Sequence, residues 1–355
     1  MSQLFDPMTI RNLTFPNRLW VSPMCQYQAT DGVVGDWHLM HLGALATGGA
    51  GLVIAEATAV SPEGRISIAC PGLWHDDQVV AWRRVTDFAH QQGTLMGIQL
   101  AHAGRKASTM QPWADHPFAD QSDGGWTTIA PSPIAFTGYP EPREMTTEDI
   151  GAVTTSFVCA AKRAIDAGFD VLEIHAAHGY LLHQFLSPLS NQRTDKYGGI
   201  LENRMRFLLD VAAAVRAVSD SAPLLVRISA TDWTDGGWTL DDSLVLAAHL
   251  RDVGVDLIDV STGGNVAGAP IPVGPGYQVP FASAIKKETG VATSAVGLIT
   301  SATQANEIVA TNEADAVMVA RAVMRNPRWP LTAAEELGVV IPWIAPLERA
   351  RTVTK

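Results

Sequence analysis

Residues 173–188 read EIHAAHGYLLHQFLSP and place His175, His178 and Tyr180 within six positions. All three side chains can hold or hand over a proton. They follow FDVLEIH (169–175), which reads as a buried strand. In a continuing strand, positions i and i+3 point to opposite sides, so the two imidazoles converge only if the strand ends at His175 and the chain turns. Three chemistries are then open. A metal site is one, although there is no HExxH and no obvious third ligand. A structural pair of hydrogen-bonded histidines is the second. The third is a donor pair gripping a carbonyl oxygen with Tyr180 as proton source, and it employs all three residues.

The elements that must position these groups are legible as eight apolar, β-branched runs: 19–24, 51–60, 95–102, 170–175, 224–230, 257–261, 292–297 and 316–321. They are unbroken rather than alternating, as strands buried on both faces should be. Helical patterns separate most of them. Thr146 with Asp149 forms a capping-box pattern ahead of Ile150, Val153, Phe157 and Ile165, and Ser301 with Gln304 opens another helix. Gly93, Gly168 and Gly254 each precede a strand, as helix-terminating glycines do. Eight strand–helix units predict an α/β fold of the closed (β/α)₈ TIM-barrel type, with the chemistry at the strands' C-terminal ends. The expectation is one barrel domain spanning residues 1–355. MTIRNLTFPNR (8–18) is expected to be a hairpin plugging the barrel bottom, and 326–355 a short helix and tail. The excursion 104–145 after the third strand is rich in Pro, Gly and Trp and reads as a lid.

The other strand ends supply Ser22, Pro23, Met24 and Cys25 with Tyr27 beyond, then Ala57, Gln99 and Arg227, and last Gly297, Ala320 and Arg321. A guanidinium inside an apolar strand stays charged, so Arg227 requires an anion or strong acceptors; Asp232 or another carboxylate could supply them, and so could a ligand with electron-rich oxygens. Gly297 and Arg321 fit the phosphate site usual for this fold or, equally, a turn glycine and a surface arginine. The chain has neither GxGxxG opening a helix nor GxxxxGK[ST], so a nicotinamide would bind transiently in a pocket shared with the substrate. A net charge of −11 without a basic cluster argues against nucleic acid or an anionic membrane as partner. Three scattered cysteines, Cys25, Cys70 and Cys159, build neither a disulfide framework nor a cluster site. With no secretory leader and no run of about 18 apolar residues, a cytoplasmic location is expected.

SPMCQY (22–27), QLAHAGRKA (99–107), EIHAAHGYLLHQFLSPLSNQRTDKYGG (173–199) and VRIS (226–229) together resemble the Old Yellow Enzyme family of FMN-dependent ene-reductases, and the resemblance runs essentially the length of the chain. Cys25, where many members have threonine, resembles the bacterial subgroup that includes the xenobiotic reductases. The resemblance implies FMN across the barrel mouth, its ring against Ser22, Pro23, Met24 and Cys25, with Ala57 and Gln99 at its edge and Arg227 by N1 and the C2 carbonyl. It implies a phosphate near Gly297, Ala320 and Arg321, although the family commonly has Gly–Arg where this chain has Ala320–Arg321. Cys25 is implied as a redox-tuning residue rather than a nucleophile. NADPH or NADH is implied as hydride donor, exchanging with small-molecule activated alkenes. His175 and His178 would bind the substrate oxygen, Tyr180 would protonate the α-carbon and Tyr27 would lie near the substrate carbonyl. A homodimer or tetramer is also implied, with Trp343 or Arg349 as candidates to complete a neighbouring pocket. The rival readings are another FMN barrel, a metal-dependent barrel hydrolase and a non-catalytic flavin-binding protein.

Overall fold

The eight apolar runs become the eight strands of a closed, all-parallel barrel in the computed structural model, which describes residues 3–351. Two strands precede it, β1 (Met8–Ile10) and β2 (Leu13–Phe15). The barrel consists of β3 (Leu19–Val21), β4 (Leu52–Ala59), β5 (Met96–Ala101), β8 (Val171–Ala176), β9 (Leu224–Ser229), β10 (Leu257–Ser261), β11 (Ala292–Ala295) and β12 (Ala316–Val319), in that order, with β12 pairing back onto β3. Helices α1 (Asp36–Ala46), α2 (Asp76–Gln91), α3 (Thr147–Asp166), α4 (Leu181–Leu186), α5 (Leu201–Arg216), α6 (Leu240–Asp252), α7 (Val279–Thr289) and α8 (Ala302–Ala310) fill the crossovers. Two more, α9 (Arg321–Arg325) and α10 (Trp329–Glu336), follow the last strand. Residues 1–2 and 352–355, the extremities of the expected leading segment and tail, lie outside the described residues.

Local chemistry sets the helix ends. Thr146 Oγ1 accepts the Asp149 N–H at 3.1 Å while the Asp149 carboxylate returns to the Thr146 N–H, and Ser301 Oγ accepts the Gln304 N–H. Gly168 and Gly254 turn the chain from helix to strand at φ of 90° and 94°, a conformation that a side chain would strain.

Inside the barrel, alternate positions form layers. At the bottom, Trp20, Leu52, Ile54, Val171, Leu225, Leu257 and Met318 pack with Ile10 and Phe15 of the β1–β2 hairpin, and the Phe15 and Trp20 rings lie 4.8 Å apart. The hairpin is therefore the plug that the sequence predicts. Two residues further along each strand the interior turns polar: Val171 gives way to Glu173, Leu225 to Arg227 and Leu257 to Asp259, all buried. The helices pack a separate apolar shell around the outside.

Three details differ from expectation. β3 ends at Val21, so Ser22 to Tyr27 leave the sheet, and β12 ends at Val319, which puts Arg321 at the start of α9. The 104–145 excursion is not structureless: β6 (Ile129–Ala130) pairs in parallel with β7 (Arg143–Glu144), and a 3₁₀ turn spans Gly104–Lys106. Among the described residues no helix is long and apolar enough to cross a membrane.

The plug yields a stability prediction. Phe15→Ala removes a fully buried ring from this layer and is expected to cost about 3–5 kcal/mol, read from the denaturant midpoint. A shift within error would mean that the hairpin does not seal the barrel.

Candidate active site

β8 carries the central trio to the barrel rim. The strand runs one residue past His175, and the chain then bends through His178 and Gly179 at φ of 59° and 72°. This left-handed bend removes the strand's alternation, so both imidazoles reach the same side. Their ring centroids lie 5.2 Å apart at 87°, and the Tyr180 ring stands 5.0 Å from His175 at 78°. A β-carbon on Gly179 would strike the Gly264 carbonyl oxygen at 2.4 Å, so position 179 admits only glycine.

The bend is clamped from beneath. The Gly179 N–H donates to His183 Nδ1 at 2.9 Å, His183 Nε2 pairs with Asp232 Oδ1 at 3.0 Å, and Gln184 Nε2 donates to the Gly179 carbonyl at 2.7 Å. Lys106 Nζ donates to the carbonyls of His178 (2.8 Å) and Gly264 (3.0 Å) and lies 5.1 Å from the Tyr180 ring centroid. Burial, with the Arg105 cation adding to it, brings the Lys106 ammonium down to about 8.

Protonation states follow from the surroundings. Burial, reinforced by the Arg227 cation, holds both His175 and His178 well below the ordinary imidazole range, so each ring is neutral and carries one N–H. His175 Nδ1 accepts the Ala177 N–H at 3.3 Å, which leaves the proton on Nε2. Ser261 Oγ lies 2.7 Å from His178 Nε2 and 3.2 Å from Gln278 Oε1, so the direction of its hydroxyl decides which His178 nitrogen is protonated. Burial, with the Cys25 and Tyr27 groups nearby, raises Tyr180 well above the usual phenol range and keeps its proton on.

Arg227 rises from β9 at the register of Asp259 on β10. Its Nε meets Asp259 Oδ2 at 3.1 Å and its Nη1 donates to Ser22 Oγ at 2.9 Å. Asp232 is therefore not its counter-ion, as the sequence allowed: Asp232 sits with His183, Ser187 and the Trp238 N–H, because a barrel pairs neighbouring strands rather than sequence neighbours. The remainder of the guanidinium lines a cleft of about 200 Å³ together with Ser261, Gln278, Gly297, Ala320 and Arg321. Gly297 has φ of 132°, and a β-carbon there would meet Gln278 Nε2 at 3.0 Å and Tyr277 Cε1 at 3.1 Å. The cleft also contains Arg325, a third cation, which sequence reading passed over.

Cys25 and Tyr27 sit half-buried on the opposite side against Ala57 and Cys70. Their loop is pinned where Glu56 bulges from β4: Glu56 Oε2 accepts the Gln26 N–H at 2.8 Å and Oε1 lies 3.3 Å from His38 Nε2. Burial, then Cys70 and Glu56, pushes the Cys25 thiol well up, so it is neither thiolate nor nucleophile near neutral pH. Pro23 and Met24 lie half-buried between Ser22 and this loop. Gln99 is buried and donates through Nε2 to Glu173 Oε1 at 2.7 Å. Residues 109–112, 114–117 and Tyr139 of the excursion bound a pocket with Tyr27, Lys106 and Tyr180, and Trp113 meets Tyr27 edge-on at 6.0 Å. Among the described residues, no three His, Cys, Asp or Glu side chains converge as a metal site.

The chain belongs to the NADH:flavin oxidoreductase / NADH oxidase family, which it matches over residues 3–339, and within it to the Old Yellow Enzyme group. It is 49% identical over 343 residues to an NADPH dehydrogenase of Geobacillus sp. (strain WCH70), covering 96% of each chain. Morphinone reductase in complex with tetrahydroNAD superposes with a TM-score of 0.80 at 28% identity, over 98% of this chain and 93% of that one. The old yellow enzyme homologue from Zymomonas mobilis gives 0.77 at 27% identity, over 95% and 94%. The protein is thus an FMN-dependent oxidoreductase that uses a nicotinamide donor.

Lys106, Glu173, Asp259 and Ser261 escaped sequence reading. Lys106 and Glu173 stood inside quoted motifs, but no local spacing announced their partners. The thiol state is directly testable: at neutral pH, iodoacetamide should modify exposed Cys159 at least about tenfold faster than Cys25, as mapped by mass spectrometry. Faster modification of Cys25 would show a stabilised thiolate.

Proposed function

We propose that this chain reduces the activated C=C bond of α,β-unsaturated carbonyl compounds, with electron-poor nitro compounds and quinones as further acceptors, in two half-reactions sharing one pocket. The observation that carries this reading is the convergence of two neutral imidazoles and a protonated tyrosine above a buried guanidinium.

The residues present fit FMN. Arg227 keeps part of its fork toward the cleft after Asp259 and Ser22 take the rest, and Gly297 leaves a space that a β-carbon would narrow. Ser22, Pro23, Met24, Cys25, Ala57, Gln99 and Arg227 would hold the ring system, and Gly297, Ala320 and Arg321 the phosphate. When bound, FMN supplies the carrier that accepts hydride from NADPH or NADH and releases it to a second molecule. Arg227 places a fixed cation where charge collects on reduction.

His175 and His178 bind the carbonyl oxygen of the acceptor and stabilise the negative charge that gathers there as its β-carbon gains hydride. With the Ser261 hydroxyl turned toward His178 Nε2, the His178 proton lies on Nδ1 and is free to donate. Tyr180 delivers its proton to the α-carbon, and Lys106 beside the ring steadies the phenolate left behind. Tyr27 faces the pocket that donor and acceptor occupy in turn, and the 104–145 segment acts as its lid. The whole chain is read as one barrel domain.

Anaerobic NADPH should bleach the yellow enzyme, and 2-cyclohexenone should restore the colour with formation of the saturated ketone; a bleached enzyme indifferent to enones would reject the reading. Tyr180→Phe should slow reoxidation by 2-cyclohexenone by about 10²-fold or more while leaving reduction by NADPH within about threefold. Equal slowing of both would remove the proton-donor role. His178→Ala should weaken binding of phenolic ligands by about tenfold, as loss of one hydrogen bond implies, and unchanged affinity would count against the oxygen-gripping pair.

A further inference from the structure

The polar layer beneath the site contains more ionisable groups than the reaction employs. Glu173 on β8 and Asp259 on β10 are both fully buried, and Arg227 on β9 is their shared cation. The two carboxyls differ in what faces their second oxygen. Asp259 faces Arg227 Nε at 3.1 Å through one oxygen and accepts from Ser294 Oγ at 2.9 Å through the other. Glu173 receives one neutral amide N–H, from Gln99 at 2.7 Å; among the described residues its Oε2 has no hydrogen-bond partner, and unlike Asp259 Oδ2, which also lacks one, it has no ion pair with Arg227 in its place. Two buried carboxylates beside one guanidinium would leave the layer with an excess negative charge, which a dry interior does not tolerate.

We propose that Glu173 is a positioning residue that holds a proton beneath the flavin, so that the layer reads Arg227 cation, Asp259 anion and neutral Glu173, and that this proton is linked to the redox state of the site. The linkage rests on the reading that places the flavin over Arg227.

The surroundings of Glu173 support this assignment from every side. On β5, Gln99 is neutral. His175, two residues along on β8, is held neutral by burial and by Arg227. Glu56 on β4 is turned away toward His38 and the Gln26 N–H. On β9 and β10 stand Arg227 and Asp259, whose effects on Glu173 oppose each other. Burial first and Asp259 second outweigh Arg227 and raise Glu173 to about 8. Asp259 is also raised by burial, but Arg227 and Ser294 both act to keep it ionised.

The sign of the linkage follows. Reduction by hydride places a negative charge above Arg227, and like charge raises the affinity of Glu173 for a proton. Below its oxidised-state pKa, Glu173 is already protonated and takes up nothing on reduction. Between its oxidised-state pKa and the higher reduced-state value, an ionised Glu173 binds one proton from solvent as the site gains its two electrons, so reduction there consumes up to one proton more than the hydride delivers.

Two measurements on the holoenzyme test this. Infrared difference spectra between about pH 6 and pH 10 should show a protonated-carboxyl C=O band that disappears near pH 8, is absent in Glu173→Gln and disappears at lower pH in Asp259→Asn, where the anion that raises Glu173 is gone. Separately, the midpoint potential of the bound flavin should fall more steeply with pH above about 8 in the wild type than in Glu173→Gln. Absence of the band in wild type at low pH overturns the proposal outright, because Glu173 would then be ionised. A band with parallel potential slopes overturns the linkage. That failure is distinguishable from a flavin lying elsewhere, since a distant flavin would be equally indifferent to replacement of Arg227.

Discussion

The rest of the site depends on one buried ion pair. Arg227 cannot give up its charge, so the barrel must surround it with acceptors, and it does so with Asp259 and Ser22. Taking Asp259 away would leave an uncompensated charge in the interior, at a cost of about 3–5 kcal/mol. The pair can exist because the layer below it is sealed: Trp20, Phe15 and the aliphatic side chains around them exclude water from the barrel's lower half. Dryness in turn strengthens the field of the guanidinium at the cleft above. Burial, with that field adding to it, keeps His175 and His178 neutral, and neutral imidazoles can donate a hydrogen bond to an oxygen without bringing a charge of their own.

The rim obeys a second constraint, one of backbone geometry. Residues three apart on a strand cannot cooperate, and residues three apart across a left-handed bend can. His178 adopts that conformation at a cost for a side-chain-bearing residue, and the surrounding groups over-determine it. Lys106 holds its carbonyl, His183 receives the next N–H and Gln184 holds the following carbonyl. Asp232, buried with His183 and brought down to about 2 mainly by that pairing against the opposing effect of burial, anchors the clamp. The active geometry is thus fixed by groups that never touch the reacting atoms.

These arrangements explain what was legible in the sequence. The eight strands could be read because a strand buried on both faces has no polar alternation to confuse it, and the cap residues Thr146 and Ser301 act on neighbours three positions away. Arg227 was conspicuous because a permanent cation interrupts an apolar run. Glu173 and Asp259 were not, since each occupies one position of an apolar strand and its meaning comes from strands some thirty to eighty residues distant. Asp232 was a reasonable counter-ion by sequence distance and a wrong one by register, because the β9–β10 pairing sets Asp259 opposite Arg227. Lys106 gave no signal, as its acceptors are two backbone carbonyls, one of them Gly264, far along the chain.

The central claim is that the Arg227 cation faces the bound flavin and stabilises its reduced form. Its most direct test is the midpoint potential of FMN in Arg227→Gln, measured beside the wild type at one pH. Removal of the cation, with the Asp259 carboxylate left behind, is expected to lower the potential; an unchanged or higher potential would contradict the placement of Arg227 on which the site is built.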